Sequence, residues 1–242
     1  MARKIGIGNQ DFEVVREKDY FYIDKTGFIR EWWESGDAVT LLTRPRRFGK
    51  TLNMSMVEKF FSVNYADRGD LFEGLSIWEE ISPAGEYKYR KLQGTYPVIF
   101  LSFADVKETT FEEARKKIFK IIQLVYNKFD FLLKSDVLND NEKSDFQKIS
   151  AEMEDYMASL SLKMLSDYLC RYYGKKVIIL LDEYDTPMQE AYVNGYWKEL
   201  ADFTRSLFNS TFKTNPYLER AIMTGITRVR PFTIQRKNIT KY

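Results

Sequence analysis

Four short apolar runs divide the chain: "AVTLLT" (38–43), "PVIFLSF" (97–103), "KVIILLDE" (176–183) and "RAIMTG" (220–225). Runs this dense in branched aliphatic residues, without polar alternation, fit strands buried on both faces. Such strands lie parallel only if helical crossovers connect them, and the intervening segments are long enough to do so. "LNMSMVEKFFS" follows "GKT" with apolar residues at helical spacing, and 111–133 repeats the pattern at greater length. Residues 152–173 read as a helix stopped by Gly174, and 196–212 as one more. The predicted architecture is α/β, a parallel sheet with helices on both faces. Between 62 and 96 the periodicity breaks down into a segment rich in Gly, Asp and aromatic residues, read as an insertion over one edge of the sheet. "KSDVLNDNEKSDFQ" (134–147) reads as a connection between helices.

Composition removes several kinds of chemistry. With 44% hydrophobic and 30% charged residues in 242, the chain can bury a substantial core, and its net charge of +2 gives no global field for nucleic acid. The absence of histidine rules out Ser-His and Cys-His nucleophile pairs and the common zinc sites. The single cysteine, Cys170, lies in the helical run "SLKMLSDYLCRYYG", where it has no disulfide partner and reads as core packing. The start lacks the apolar stretch of a secretory signal, and no run of about 18 apolar residues is available to cross a bilayer. The expected location is cytoplasmic, with no membrane partner.

Chemistry must therefore come from carboxylates, Lys, Arg, hydroxyls and backbone, and two segments concentrate these groups. "TRPRRFGKTL" (43–52) ends like a phosphate loop, G-x-x-x-x-G-K-[S/T], but carries Arg44 where the first glycine is usual. A strand directly before and a helix directly after are the context such a loop needs, because its N–H groups and the helix dipole cradle the anion. Pro45 pushes Arg44 toward an extended shape, which stiffens the loop without breaking it. Arg46, Arg47, Phe48, Gly49, Lys50, Thr51 and Leu52 form the expected nucleotide-binding stretch. Lys50 would reach the β- and γ-phosphates and Thr51 the Mg²⁺. Arg46 and Arg47 either add field around a triphosphate or point into solvent.

The second segment, "KVIILLDEYDTP", is an apolar strand ending in Asp-Glu, the arrangement in which the strand-tip Asp serves Mg²⁺ and the adjoining Glu activates water. Asp182 is the metal-side carboxylate on this reading and Glu183 the catalytic base. Asp185 reads as the start of a turn. Thr224, at the end of the next apolar run, either contacts the γ-phosphate or attacking water, or is bonded locally. Arg228 is the nearest arginine that could sense transition-state charge.

Taken with "IGIGNQDFEVVREKDYFYIDKT" and "RAIMTGITRV", these residues resemble the AAA-ATPase-like family over about residues 4–229. In that family the "RPRRFGK" form is the normal loop. The resemblance implies an additional-strand P-loop fold, in which another strand separates the strand carrying Asp182 from the strand before the loop. It also implies nucleotide and Mg²⁺ at Gly49, Lys50 and Thr51, and metal and water roles for Asp182 and Glu183. Phe21 to Thr26, "FYIDKT", would pack either beside the adenine or, as its aromatic residues suggest, in the core. Family members commonly carry a PD-(D/E)XK nuclease-like domain after the ATPase region. Here the sequence goes on only to "RPFTIQRKNITKY" without a PD…(D/E)xK site, so the expectation is a shortened chain lacking its effector.

The expected function is Mg²⁺-dependent ATP binding with slow hydrolysis, as a switch or motor for a downstream nuclease-like domain or other protein effector. A binding module without turnover and a nucleic-acid-processing component are the alternatives. The absence of N-K-x-D favours adenine over guanine. The basic tail from Arg230 to Tyr242 reads as a cut end more than as a nucleic-acid arm, so nucleic-acid binding by this chain alone is not expected.

Overall fold

The computed structural model describes residues 3–226. In chain order its regular elements are α1 (Phe12–Glu17), α2 (Gly27–Ser35), β1 (Val39–Thr43), α3 (Lys50–Phe61), α4 (Ser76–Glu79), β2 (Val98–Ser102), α5 (Phe111–Asn127), α6 (Asp140–Gln147), α7 (Asp155–Tyr173), β3 (Val177–Asp182), α8 (Thr186–Asn194), α9 (Trp197–Phe208) and β4 (Leu218–Gly225). The four strands pair parallel in the order β1-β4-β3-β2, so the last strand in sequence lies between the first and the third. The four apolar runs thus form one parallel sheet, within a residue or two of their expected bounds.

Every residue of β3 is buried, which explains its unbroken apolar sequence. Val177, Ile179 and Leu181 face one layer, packed with residues of α5, α7 and α9 such as Ile118, Phe119, Leu165 and Leu207. Ile178 and Leu180 face the other, with Phe12, Trp32, Met54, Phe60 and Phe61. Fully burying one such aliphatic side chain contributes about 1.5–3 kcal/mol, so the strand is held equally from both faces. Residues 62–96 add Leu71, Phe72, Leu75, Ile77 and Tyr89 to the second layer, mostly from short 3₁₀ turns and α4. These aromatic residues are packing groups spaced by turns, which hides them from a periodicity search.

Helix boundaries differ from expectation where hydroxyls or caps intervene. The helix expected over 111–133 ends at Asn127, and a 3₁₀ turn, Asp130–Lys134, carries Leu132 into the core instead. The expected connection at 134–147 contains α6, started by a reciprocal capping box between Asn139 and Glu142 and anchored by buried Phe146. The helix expected over 196–212 gives way after Phe208 to a π turn, Asn209–Lys213, in which the Thr211 hydroxyl donates to Leu207 O at 2.7 Å. Helix α7 ends as expected on left-handed Gly174. Cys170 is only partly buried, because it stands beside the core face of α7 and not within it; burial still pushes its thiol above the ordinary value.

No helix among the described residues is long and apolar enough to cross a membrane. Arg228 and the tail from Arg230 lie outside the described residues.

Candidate nucleotide site

The carboxyl ends of β1, β3 and β4 bring the two chemical segments together, at the edge where parallel α/β sheets place ligands. Between β1 and α3 the chain makes a tight turn, with Arg47 at φ 67° and Gly49 at φ 73°, both left-handed. Gly49 is the residue type such a turn requires; Arg47 is held there against its preference. Helix α3 starts at Lys50 with no side-chain cap, so its first N–H groups face the turn. Arg44 N donates to Gly225 O at 3.1 Å, which prolongs the β1–β4 ladder by one residue.

Lys50 is buried, only 8% exposed. Its ammonium donates to Arg44 O at 2.9 Å and to Pro45 O at 3.1 Å. An ammonium has three N–H donors, so two fix it over the loop and the third has no acceptor among the described residues. Arg46, Arg47 and Phe48 are exposed, Phe48 at 58%. Leu52 packs its side chain against the aromatic layer, leaving only its backbone to the loop.

Asp182 is 1% exposed at the tip of β3. Its Oδ2 accepts from Thr51 Oγ1 at 2.8 Å, and its Oδ1 accepts from the Thr224 hydroxyl. The same Thr224 oxygen accepts from Glu183 N at 3.1 Å. Thr224 is fully buried, so its one proton goes to Asp182 and its hydroxyl serves the local network. Glu183 turns the chain at φ 50°, a left-handed conformation that costs a non-glycine residue of the order of 1 kcal/mol or more. The bond Tyr184 N to Thr224 O, 2.9 Å, holds that turn, and Thr186 Oγ1 donates to Glu183 Oε2 at 3.0 Å.

Asp185, read from the sequence as a turn starter, stands at the start of α8 but makes no side-chain cap bond there. Its Oδ2 instead accepts from Ile226 N at 2.8 Å and from Gln189 at 3.0 Å, tying the exit of β4 to α8. A Cβ on Gly225 would lie 2.6 Å from Asp185 Oδ1 and 2.7 Å from Tyr184 Cε1. Gly225→Ala should therefore displace two buried, bonded groups and cost about 1–3 kcal/mol, read as a lower denaturation midpoint with an unchanged slope.

The N-terminal "FYIDKT" element corrects a second expectation. Phe21 is 55% exposed, so it is not a core residue, whereas Tyr22 packs edge-on against Phe12 at 5.5 Å between ring centres. Burial pushes the Tyr22 hydroxyl up to about 12, so it stays protonated, donating to Met56 Sδ of α3 at 3.2 Å and accepting from Lys25 N at 3.3 Å. Burial alone would raise Asp24. Hydrogen bonds from Ser76 N at 2.7 Å, Thr26 Oγ1 at 2.7 Å and Thr26 N at 2.8 Å outweigh it and hold its carboxyl below the ordinary value. A lowered carboxyl contributes stability that is full above its unfolded pKa and is lost as pH falls through the folded one. Acidification through the lower carboxylate range should thus lower the hydrogen-exchange protection factors of Thr26 and Ser76, taken against the intrinsic rate at each pH, and Asp24→Asn should flatten that dependence.

Sequence reasoning allowed residues 21–26 a place beside the adenine but did not single out Lys25, whose ammonium stands 3.9 Å from a Cβ built on Gly49. Among the described residues no three acidic or cysteine side chains cluster as a metal-binding group. Asp182 and Thr51 offer the one or two oxygens Mg²⁺ takes from protein when phosphates and water complete its shell, so the donor set fits that ion.

The chain is similar to the uncharacterized protein in the vnfD 5′ region of Azotobacter chroococcum mcd 1, 25% identical over 228 residues. That alignment covers 93% of this chain and 38% of the relative, so the chain spans well under half of that protein's length. No solved structure matches. The family described as Predicted AAA-ATPase matches residues 6–235, nearly the whole chain, and the protein belongs to this AAA-ATPase-like family.

Proposed function

We propose that the chain is an Mg²⁺-dependent ATP-binding domain of the additional-strand P-loop class that hydrolyses ATP slowly, as a switch or motor for an effector domain. The observation that carries this reading is the 2.8 Å bond from Thr51 Oγ1 to Asp182 Oδ2, which joins side chains 131 residues apart at the sheet edge. Strand β4 between β1 and β3 supports the additional-strand class, and membership in a family of predicted AAA-ATPases supports ATP as the ligand.

The residues divide the work by position. Lys50 and the N–H groups from Gly49 to Leu52 bind the phosphates, while Asp182 orients the Thr51 hydroxyl. Asp182 and Thr51 would hold Mg²⁺, which when bound would supply positive charge beside the phosphates. Glu183 takes the proton from attacking water at its carboxylate, and Thr224 positions Asp182 and the Glu183 backbone. Arg46 and Arg47 supply field from the rim of the loop, and Arg228 remains a candidate for sensing transition-state charge.

A binding module without turnover is favoured by one contact, the Thr186 hydroxyl on Glu183 Oε2, which occupies the carboxylate locally. Titrating the purified protein with ATP and GTP, with and without Mg²⁺, tests the reading. Saturable ATP binding strengthened by Mg²⁺ is expected, with GTP weaker; no saturable binding of either nucleotide would refute it.

A further inference from the structure

We propose that Lys25 is a further phosphate-binding cation, delivered to the loop by the N-terminal segment. This rests on the reading of residues 43–51 as a phosphate loop. The Lys25 ammonium lies 3.9 Å from where a Cβ on Gly49 would stand, so it borders the turn itself. Its backbone is fixed there: Lys25 N donates to the Tyr22 hydroxyl, which in turn bonds Met56 on the loop's own helix, and Lys25 O accepts from Phe28 N at 2.9 Å.

Charge shows what the site lacks. Both oxygens of the adjacent carboxylate, Asp24, accept bonds from Thr26 and Ser76, and among the described residues it forms no ion pair with Lys25. Among the described residues neither Lys25 nor Arg44, Arg46, Arg47 or Lys50 joins an ion pair. Cations gathered about one turn without a direct ion pair among the described residues favour a multivalent anion that joins them. A polyphosphate supplies that charge. The consequence is that occupancy of the loop also secures residues 21–26, which otherwise depend on Asp24 and Tyr22.

Lys25 is exposed and makes no side-chain bond among the described residues, so its substitution should leave the denaturation midpoint nearly unchanged. The test measures Mg²⁺-ATP and inorganic tripolyphosphate binding by calorimetry for the parent, Lys25→Gln, Lys25→Arg and Lys50→Ala. Lys25→Gln is expected to weaken both ligands about fivefold or more, with Lys25→Arg restoring most of the loss. Parental affinity within about twofold in Lys25→Gln, while Lys50→Ala fails to bind, would overturn the role of Lys25 and leave the phosphate loop standing. A loss seen with ATP but not with tripolyphosphate would also overturn it, since the contact would then be to the nucleoside. A parent that binds neither ligand would remove the loop reading and this proposal together.

Discussion

Lys50→Ala should lose most ATP affinity while remaining folded. The ammonium sits over the loop on two carbonyls, Arg44 O and Pro45 O, with no third acceptor among the described residues. A charge-assisted bond to phosphate is worth about 1.5–3 kcal/mol, which corresponds to roughly 10- to 150-fold in affinity. The two carbonyls belong to a partly exposed turn, where water can replace the lost donor, so the cost to stability should be small. Calorimetric titration beside circular dichroism and denaturant unfolding separates the two effects. A folded variant with parental affinity would sink the assignment of the loop.

Glu183→Gln should separate binding from turnover in the opposite sense. The amide keeps the size of the carboxylate and can still accept from Thr186, so the left-handed turn at position 183 and the Thr224 bond to its N–H stay in place. What disappears is the base. Mg²⁺-ATP affinity should remain near the parental value, and hydrolysis should fall by about 10²–10⁴-fold, the usual contribution of a positioned general base. Unchanged phosphate release in the variant would make Glu183 structural. A parent with no release above background would favour the binding module.

The sheet was legible because burial on both faces leaves no choice of residue type: Ile178 through Leu181 must all be apolar, and length alone distinguishes them from a helix. The loop and the Asp-Glu pair were legible because few residue types can perform their chemistry. Two kinds of feature escaped. Helix α6 depends on a capping box in an otherwise polar segment, and a single anchor, Phe146, carries too little period to register. Phe21 looked like core because aromatic residues usually are, but burial in "FYIDKT" falls to Tyr22 and Thr26, a choice made by contacts with Phe12, Met56 and Ser76 far along the chain. Local bonding of Thr224 was one of two readings open in the sequence, but its partners Asp182 and Glu183 were not legible, since they are set by the register of β4 between two strands.

Strand β4 gives the site a mechanical character. Its last residues reach sideways in both directions: Gly225 O takes Arg44 N of the loop, while Thr224 holds Asp182, Glu183 and, through its carbonyl, Tyr184. One residue later Ile226 N is pinned to Asp185, which also grips Gln189 of α8. Ile226, the last described residue, is thus bonded into the same network, so displacing it would strain bonds to both halves of the candidate site.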